Sequence, residues 1–193
     1  MRIAFVRHGL THWNLCKRIQ GRTDVPLSDA GREQVRNWRL PALLRPQSWH
    51  VSPLQRARET AELLGCADAM VEPRLTEMHW GDWEGELPAE LRARLGVTMS
   101  INEARGLDFR PPGGESPREV QNRVLEWGSE LARGDGDAVA ITHKGVIRAV
   151  YAAATNWDMH TPPAHTLRWQ SAHVFDVQPD GRVGVHALNV SLR

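Results

Sequence analysis

Cysteine is scarce in this chain. Only Cys16 and Cys66 occur, too few for a disulfide framework and in no metal-type spacing, so the expected setting is a reducing cytoplasm. No apolar run approaches the length needed to span a bilayer, so no membrane partner is expected. Met1 leads straight into a strand-like run, which leaves no room for a cleaved signal peptide. An excess of charge of one sign is missing as well. The formal net charge is +1, so there is no general basic field for nucleic acid, and any anion site must be local. Internal repeats and low-complexity linkers are absent. Tyrosine occurs once and phenylalanine three times, against eight tryptophans. Most of that tryptophan is expected in the core or a pocket wall, with Trp80 and Trp83 close to candidate chemistry. What is present is enough apolar material for a real core, 41% of 193 residues, in a length that suits one domain with at most a lid-like insertion.

Strand and helix patterns alternate. Residues 2–6 read as a buried strand. Ser28 reads as the N-cap of a helix over 28–40, with Val35 and Trp38 on its apolar stripe. Trp49-His50-Val51 reads as a short strand. Ser52-Pro53-Leu54-Gln55 then has the form of a capping box opening a helix to about residue 64. Residues 86–106 read as short helices and loops. Ser116-Pro117-Arg118-Glu119 repeats the capping-box pattern and opens a helix to about residue 133. Ala138 to Thr142 reads as a strand, 144–155 as a helix, and 172–177 and 183–188 as late strands. This order predicts an α/β fold, a three-layer sandwich with a mostly parallel central sheet flanked by helices.

The candidate chemistry lies where strands end and helices begin. Arg7-His8-Gly9 follows the strand Ile3-Ala4-Phe5-Val6. It puts an imidazole beside a guanidinium and a residue that lets the chain turn. A histidine can take a phosphoryl group on nitrogen and pass it to water, and an arginine can hold phosphoryl oxygens in a bidentate fork. Arg56 falls in the first turn of the second helix, and His143 between a strand end and a helix start. In open parallel sheets the carboxyl ends of the strands line one edge, where helix N-termini add donors for an anion. Taken singly, each arginine reads more readily as a surface ion pair, and His143 equally as a satisfied interior histidine. Their joint placement at successive strand ends points to one small anion.

The same residues carry a resemblance. R-H-G-L-T-H-W-N at 7–14, S-P-L-Q-R-A-R-E-T-A at 52–61, L-T-E-M-H-W-G-D-W-E-G at 75–85, P-G-G-E-S at 112–116 and T-H-K-G-V-I-R at 142–148 resemble, in order, motifs of the histidine phosphatase superfamily, phosphoglycerate-mutase-like branch. The resemblance implies a single domain over 1–193, with residues 79–110 covering the substrate. It implies that His8 is the nucleophile that becomes phosphohistidine, and that Arg7, Arg56 and His143 bind the phosphoryl group. Glu77 would protonate the leaving alkoxide and then activate water; Asp82 and Glu84 are rival acids by spacing. Asn14 would be a supporting phosphate ligand, and Thr11 a substrate-side residue that orients the loop. No metal and no other cofactor is implied.

Two positions depart from the family pattern: Leu10 stands where many members have Glu or Gln, and Lys144 where many have Gly. Lys144 is expected to point to solvent. His12, four residues after His8, is not read as a metal partner, because His8 belongs in a turn rather than a helix. Cys16 reads as a small buried filler. The expected function is a phosphomonoesterase acting on a small phosphorylated metabolite. The alternatives are a phosphoglycerate-type mutase, for which the chain is short, and a phosphate-binding module without turnover, which would be expected to lack the nucleophile or the acid. Residues 79–110, with Trp80, Trp83, Arg92, Arg94 and Arg105, admit a sugar phosphate, a nucleotide-derived phosphate or a phosphorylated carboxylic acid. Oligomeric state is left open.

Overall fold

The computed structural model describes residues 1–41 and 46–192. Six strands, β1 (Arg2–Arg7), β2 (Ser48–Val51), β3 (Met70–Val71), β4 (Ala138–Thr142), β5 (Ser171–Val177) and β6 (Val183–Ser191), form one sheet in the order β3-β2-β4-β1-β5-β6. The first four are mutually parallel, and β5 and β6 add antiparallel pairs at the far side. The expected α/β sandwich is therefore present.

Side-chain alternation explains the layers. On β1, Ile3 and Phe5 face one way, with Ala138 and Ala140 of β4. They pack on Val120, Val124 and Trp127 of α6 (Pro117–Leu131) and on Val146, Ile147 and Val150 of α7 (Lys144–Thr155). Ala4, Val6, Val139 and Ile141 face the other way. They meet Val35 of α2 (Asp29–Arg36), Trp38, and Ala57 and Ala61 of α3 (Gln55–Leu63). Every residue of β4 is buried, as a strand covered on both faces requires. Between α3 and α6, α4 (Pro88–Leu95) and α5 (Val97–Glu103) form a satellite core with Trp83, Leu91 and Met99. Among the described residues no helix is long and apolar enough to cross a membrane.

Local signals hold in two places and fail in a third. Ser28 Oγ accepts from Gly31 N at 3.1 Å, and Ser116 with Glu119 closes a full capping box. The α2 helix stops at Arg36 rather than near residue 40, yet Trp38 still reaches the core. Ser52 does not cap α3. That helix starts at Gln55, and it is Asp24 Oδ1 that accepts from Gln55 N at 2.7 Å. The Ser52 hydroxyl is taken instead by His143, whose Nε2 lies 2.7 Å away. A short helix, α1 (His12–Leu15), is capped by Thr11 and has no counterpart in the sequence pattern, because four residues carry no period to read.

The N-terminus of α2 clamps the segment after β1. The Leu10 carbonyl accepts from Ser28 N at 2.9 Å and from Ser28 Oγ at 3.1 Å, and Leu10 N donates to Gln34 Oε1 at 3.2 Å. Gly31 makes this approach possible, since a Cβ there would stand 1.9 Å from the Leu10 carbonyl oxygen. Alanine normally favours a helix over glycine by about 1 kcal/mol. Here Gly31→Ala is expected to destabilise instead, by about 2 kcal/mol, as overpacking against backbone does. Chemical denaturation checks this, and an unchanged or raised midpoint would contradict the clamp.

Candidate active site

The parallel register Arg7↔Thr142 brings β1 and β4 to the same height. One residue further on, His8 N donates to Thr142 O at 3.0 Å, and the His8 and His143 rings stand 5.1 Å apart. Two histidines remote in sequence thus become neighbours at one sheet edge. Both are buried, at 5% and 0% exposure. The Nδ1 of His8 lies 2.7 Å from Gly9 O. A carbonyl only accepts, so Nδ1 carries the proton and Nε2 keeps its lone pair. Burial, then the adjacent Arg7 and Arg56, push the His8 imidazolium well below its ordinary pKa. The ring is neutral at physiological pH. His143 is held down likewise, by burial and then by Arg56, His8 and Arg7.

Arg56 lies fully buried on α3, with Nη1 donating to Thr23 O at 2.9 Å and Nη2 to Gly21 O at 2.7 Å. The segment that supplies these carbonyls is held by Glu84, whose carboxylate accepts from Arg22 N and Thr23 N, each at 2.8 Å, and from Trp80 N at 3.1 Å. Those hydrogen bonds outweigh burial and hold the Glu84 carboxyl below its usual range. Glu84 therefore fixes the loop that fixes Arg56. Thr60 ties the same helix to the histidine loop, accepting from Gly9 N at 3.0 Å and donating to Arg56 O at 2.7 Å. Three buried polar atoms here have no partner among the described residues: Arg7 Nε, Arg56 Nε and His143 Nδ1.

Glu77 enters from the opposite wall. Its Oε1 accepts from Met78 N at 2.9 Å and its Oε2 from Gly145 N at 3.2 Å, at the N-terminus of α7. The segment is pinned from behind: Thr142 Oγ1 donates to Leu75 O at 2.6 Å, and Arg123 of α6 donates to the carbonyls of Arg74 and Glu77. Arg123 is oriented by a bidentate pair with Glu115, at 2.8 and 3.0 Å. Of the three carboxylates near one another in sequence, Glu77 alone lines the cleft; Glu84 is engaged as described and Asp82 is exposed.

The cleft has a volume of about 700 Å3, and its wall includes Arg7, His8, Asn14, Arg56, Glu77 and Trp80. Several expectations divide at this point. Asn14 lines the cleft, but Thr11 does not. Thr11 is fully buried as the cap of α1, where Asn14 Oδ1 accepts from its amide at 3.0 Å. Its contact with a substrate is thus replaced by a grip on Asn14. Trp80 is part of the wall, whereas Trp83 is 6% exposed and packs in the satellite core. Arg92 and Arg94 pair at the surface with Glu103 and Glu86, and Arg105 with Asn102, so none reaches the cleft. Lys144 is exposed, as expected, but on the cleft wall, with its Nζ 5.3 Å from the centre of the Trp169 ring. Cys16 is exposed, with Sγ 3.4 Å from His12 Nε2, rather than a buried filler. Among the described residues no group of three or more His, Cys, Asp or Glu side chains could hold a metal ion.

Sequence reasoning missed Ser52, Thr60, Glu115, Arg123 and Arg148. Ser52, Thr60 and Arg123 act on neighbours distant in sequence, and four of the five residues lie inside the quoted runs S-P-L-Q-R-A-R-E-T-A, P-G-G-E-S and T-H-K-G-V-I-R without a role having been read for them.

Residues 3–190 match the family model of the histidine phosphatase superfamily, branch 1. Glucosyl-3-phosphoglycerate phosphatase of Mycolicibacterium vanbaalenii is 36% identical over 169 residues, spanning 79% of this chain and 73% of that protein. The 2,3-bisphosphoglycerate-dependent phosphoglycerate mutase 2 of Gloeobacter violaceus is 34% identical over 160 residues, spanning 77% and 73%. Among solved structures, a mycobacterial glucosyl-3-phosphoglycerate phosphatase in complex with VO3 superposes with a TM-score of 0.79 at 27% identity, covering 98% of this chain and 99% of that one.

The buried, neutral histidines make stability depend on acid. His8, His143 and His50 are all held below their ordinary pKa, and His173 falls to about 4. Below pH 6.5 the unfolded chain binds protons that the folded chain refuses, so stability is full above that value and is lost as the pH falls from it towards 4. Denaturant midpoints at pH 7.5, 6 and 5 should decrease in that order, and a flat series would contradict neutral burial.

Proposed function

The chain belongs to the histidine phosphatase superfamily, branch 1, and from that premise we propose that it hydrolyses a small phosphomonoester through a phosphohistidine formed on His8. The observation that carries this reading is the ring of unsatisfied donors around an unprotonated nucleophile: Arg7 Nε, Arg56 Nε and His143 Nδ1 have no partner, while His8 Nδ1 is occupied by Gly9 O. Buried donors without acceptors are costly unless an anion arrives.

His8 Nε2 attacks phosphorus, and the ester oxygen leaves on the far side. Arg7, Arg56, Asn14 and His143 take the phosphoryl oxygens and hold the charge as it redistributes in the transition state. For His143 to donate from Nδ1, its Nε2 must accept, and the Ser52 hydroxyl 2.7 Å away can supply that proton. Thr11 acts one step back by setting Asn14. Glu77, in its carboxylic acid form, protonates the departing alkoxide. In the second step the resulting carboxylate takes a proton from water, the water oxygen bonds to phosphorus, and the N–P bond breaks to restore neutral His8. Residues 79–110 close over this chemistry through Trp80, Pro88, Glu103, Gly106 and Phe109. A reducing cytoplasm suits the free thiols of Cys16 and Cys66.

The mutase reading differs only in what accepts the phosphoryl group, and the similarity to a phosphoglycerate mutase keeps it in view. With 3-phosphoglycerate, with or without 2,3-bisphosphoglycerate, inorganic phosphate is the expected product; appearance of the 2-phospho isomer would favour the mutase.

His8→Ala should abolish turnover of p-nitrophenyl phosphate while leaving the circular dichroism spectrum intact, and should remove the acid-labile phosphoprotein trapped by rapid quench. Substantial remaining turnover would sink the nucleophile assignment. Glu77→Gln should slow alkyl phosphates by roughly a hundredfold or more, and aryl phosphates by far less, because a phenolate leaves without much help from a proton. Equal losses on both classes would argue against the acid role.

A further inference from the structure

The cleft wall carries more positive charge than one phosphoryl group requires. Lys144 and Arg148 lie four residues apart on α7, so their side chains share one face of the helix. The Lys144 ammonium sits over the Trp169 ring, 5.3 Å from its centre, and the Arg7 guanidinium meets the same ring at 5.9 Å. Arg148 stacks on Trp157 at 5.2 Å. Trp157 is itself fixed, with Nε1 donating to Thr161 O at 2.7 Å and its ring edge-on to Tyr151. Both cations are thereby aimed and braced by aromatic rings.

Neither is directly paired. Among the described residues Lys144 and Arg148 make no ion pair and no side-chain hydrogen bond. The arginines outside the cleft behave differently, since Arg92 and Arg94 each find a carboxylate. Within the cleft Glu77 accepts from Gly145 N and Met78 N and attracts both cations without pairing with either, and Glu103 pairs with Arg92. Loss of solvent, then repulsion from Arg148 and Arg7, draws the Lys144 ammonium below its usual range, and loss of solvent does the same to Arg148. Arg148, the more enclosed of the two, gains from an incoming anion more than a fully solvated cation does.

Resting on the phosphatase reading above, we propose that Lys144 and Arg148 form a subsite for a second anionic group of the substrate. The preferred esters are then phosphomonoesters bearing a carboxylate or a second phosphoryl group a few bonds from the scissile phosphate. Lys144 directly follows His143, and four residues of helix rise about 6 Å, which sets the reach of the subsite along α7. Leu10, on the wall near His8, adds no charge to compete with it.

The test uses the full chain and three related esters: 3-phosphoglycerate with a carboxylate, propane-1,3-diol bisphosphate with a second phosphoryl group, and glycerol 3-phosphate with neither. One of the first two should exceed glycerol 3-phosphate in kcat/KM by about tenfold or more, as a charge-assisted contact implies, and which one does so names the anion. Lys144→Gln and Arg148→Gln should each cut that preference about tenfold, mainly through KM, while Lys144→Arg retains it. Equal turnover of the three esters, or variants that slow all three by a common factor, would overturn the subsite. p-Nitrophenyl phosphate separates the two readings. Turnover of it without any preference among the three esters refutes the subsite alone, whereas no turnover of any of the four refutes the phosphatase as well.

Discussion

Positive charge buried at one sheet edge is the constraint on which the rest of this structure depends. Removing a guanidinium from water is expensive, and the cost is recovered only with good partners. Arg56 finds two backbone carbonyls, and among the described residues Arg7 meets the face of Trp169 and no hydrogen-bond acceptor. The fold limits the penalty by keeping His8 and His143 neutral, so that two cations are not joined by two more. What is left over is a set of donors already aimed at an anion, which is the preorganisation that transfer of a phosphoryl group needs.

Holding that arrangement takes much of the surrounding structure. Parallel pairing of β1 with β4 sets the height of both histidines. The start of α2 clamps the turn after His8, and Thr60 stitches it to α3. On the other wall, Glu115 orients Arg123, and Arg123 holds the carbonyls of the segment that presents Glu77. Glu84 plays a matching part for Arg56 by organising the loop of Gly21 and Thr23. Glu84, a rival acid by spacing, and Glu115 thus position other groups. The aromatic excess is used in two ways as well: Trp83 and Trp127 fill cores, while Trp80, Trp157 and Trp169 shape or brace the cleft.

Much of this was legible in the chain before any fold was known. The buried runs at 3–6 and 138–142 and the capping pattern at Ser116 are local facts, and local facts survive folding. Arg7, His8, Arg56, Glu77 and His143 do converge. The readings that failed share one cause. Ser52 has the pattern of a cap, but its hydroxyl has a better partner in His143, and Thr11 and Cys16 exchange the burial expected of them because α1 is too short to announce itself.

The amino-acid sequence by itself determined which groups the molecule owns and where along each strand they must emerge, because hydrophobic period and turn chemistry are properties of neighbouring residues. It therefore determined the sheet, its covered strands, and a histidine at the end of two of them. Only the tertiary structure decided which hydroxyl meets which imidazole, which carboxylate faces the cleft and which is tied up elsewhere, and that Lys144 and Arg148 share the cleft wall with no ion pair among the described residues. Those are matters of distance between remote segments, and distance is set by strand register and helix packing rather than by any local pattern.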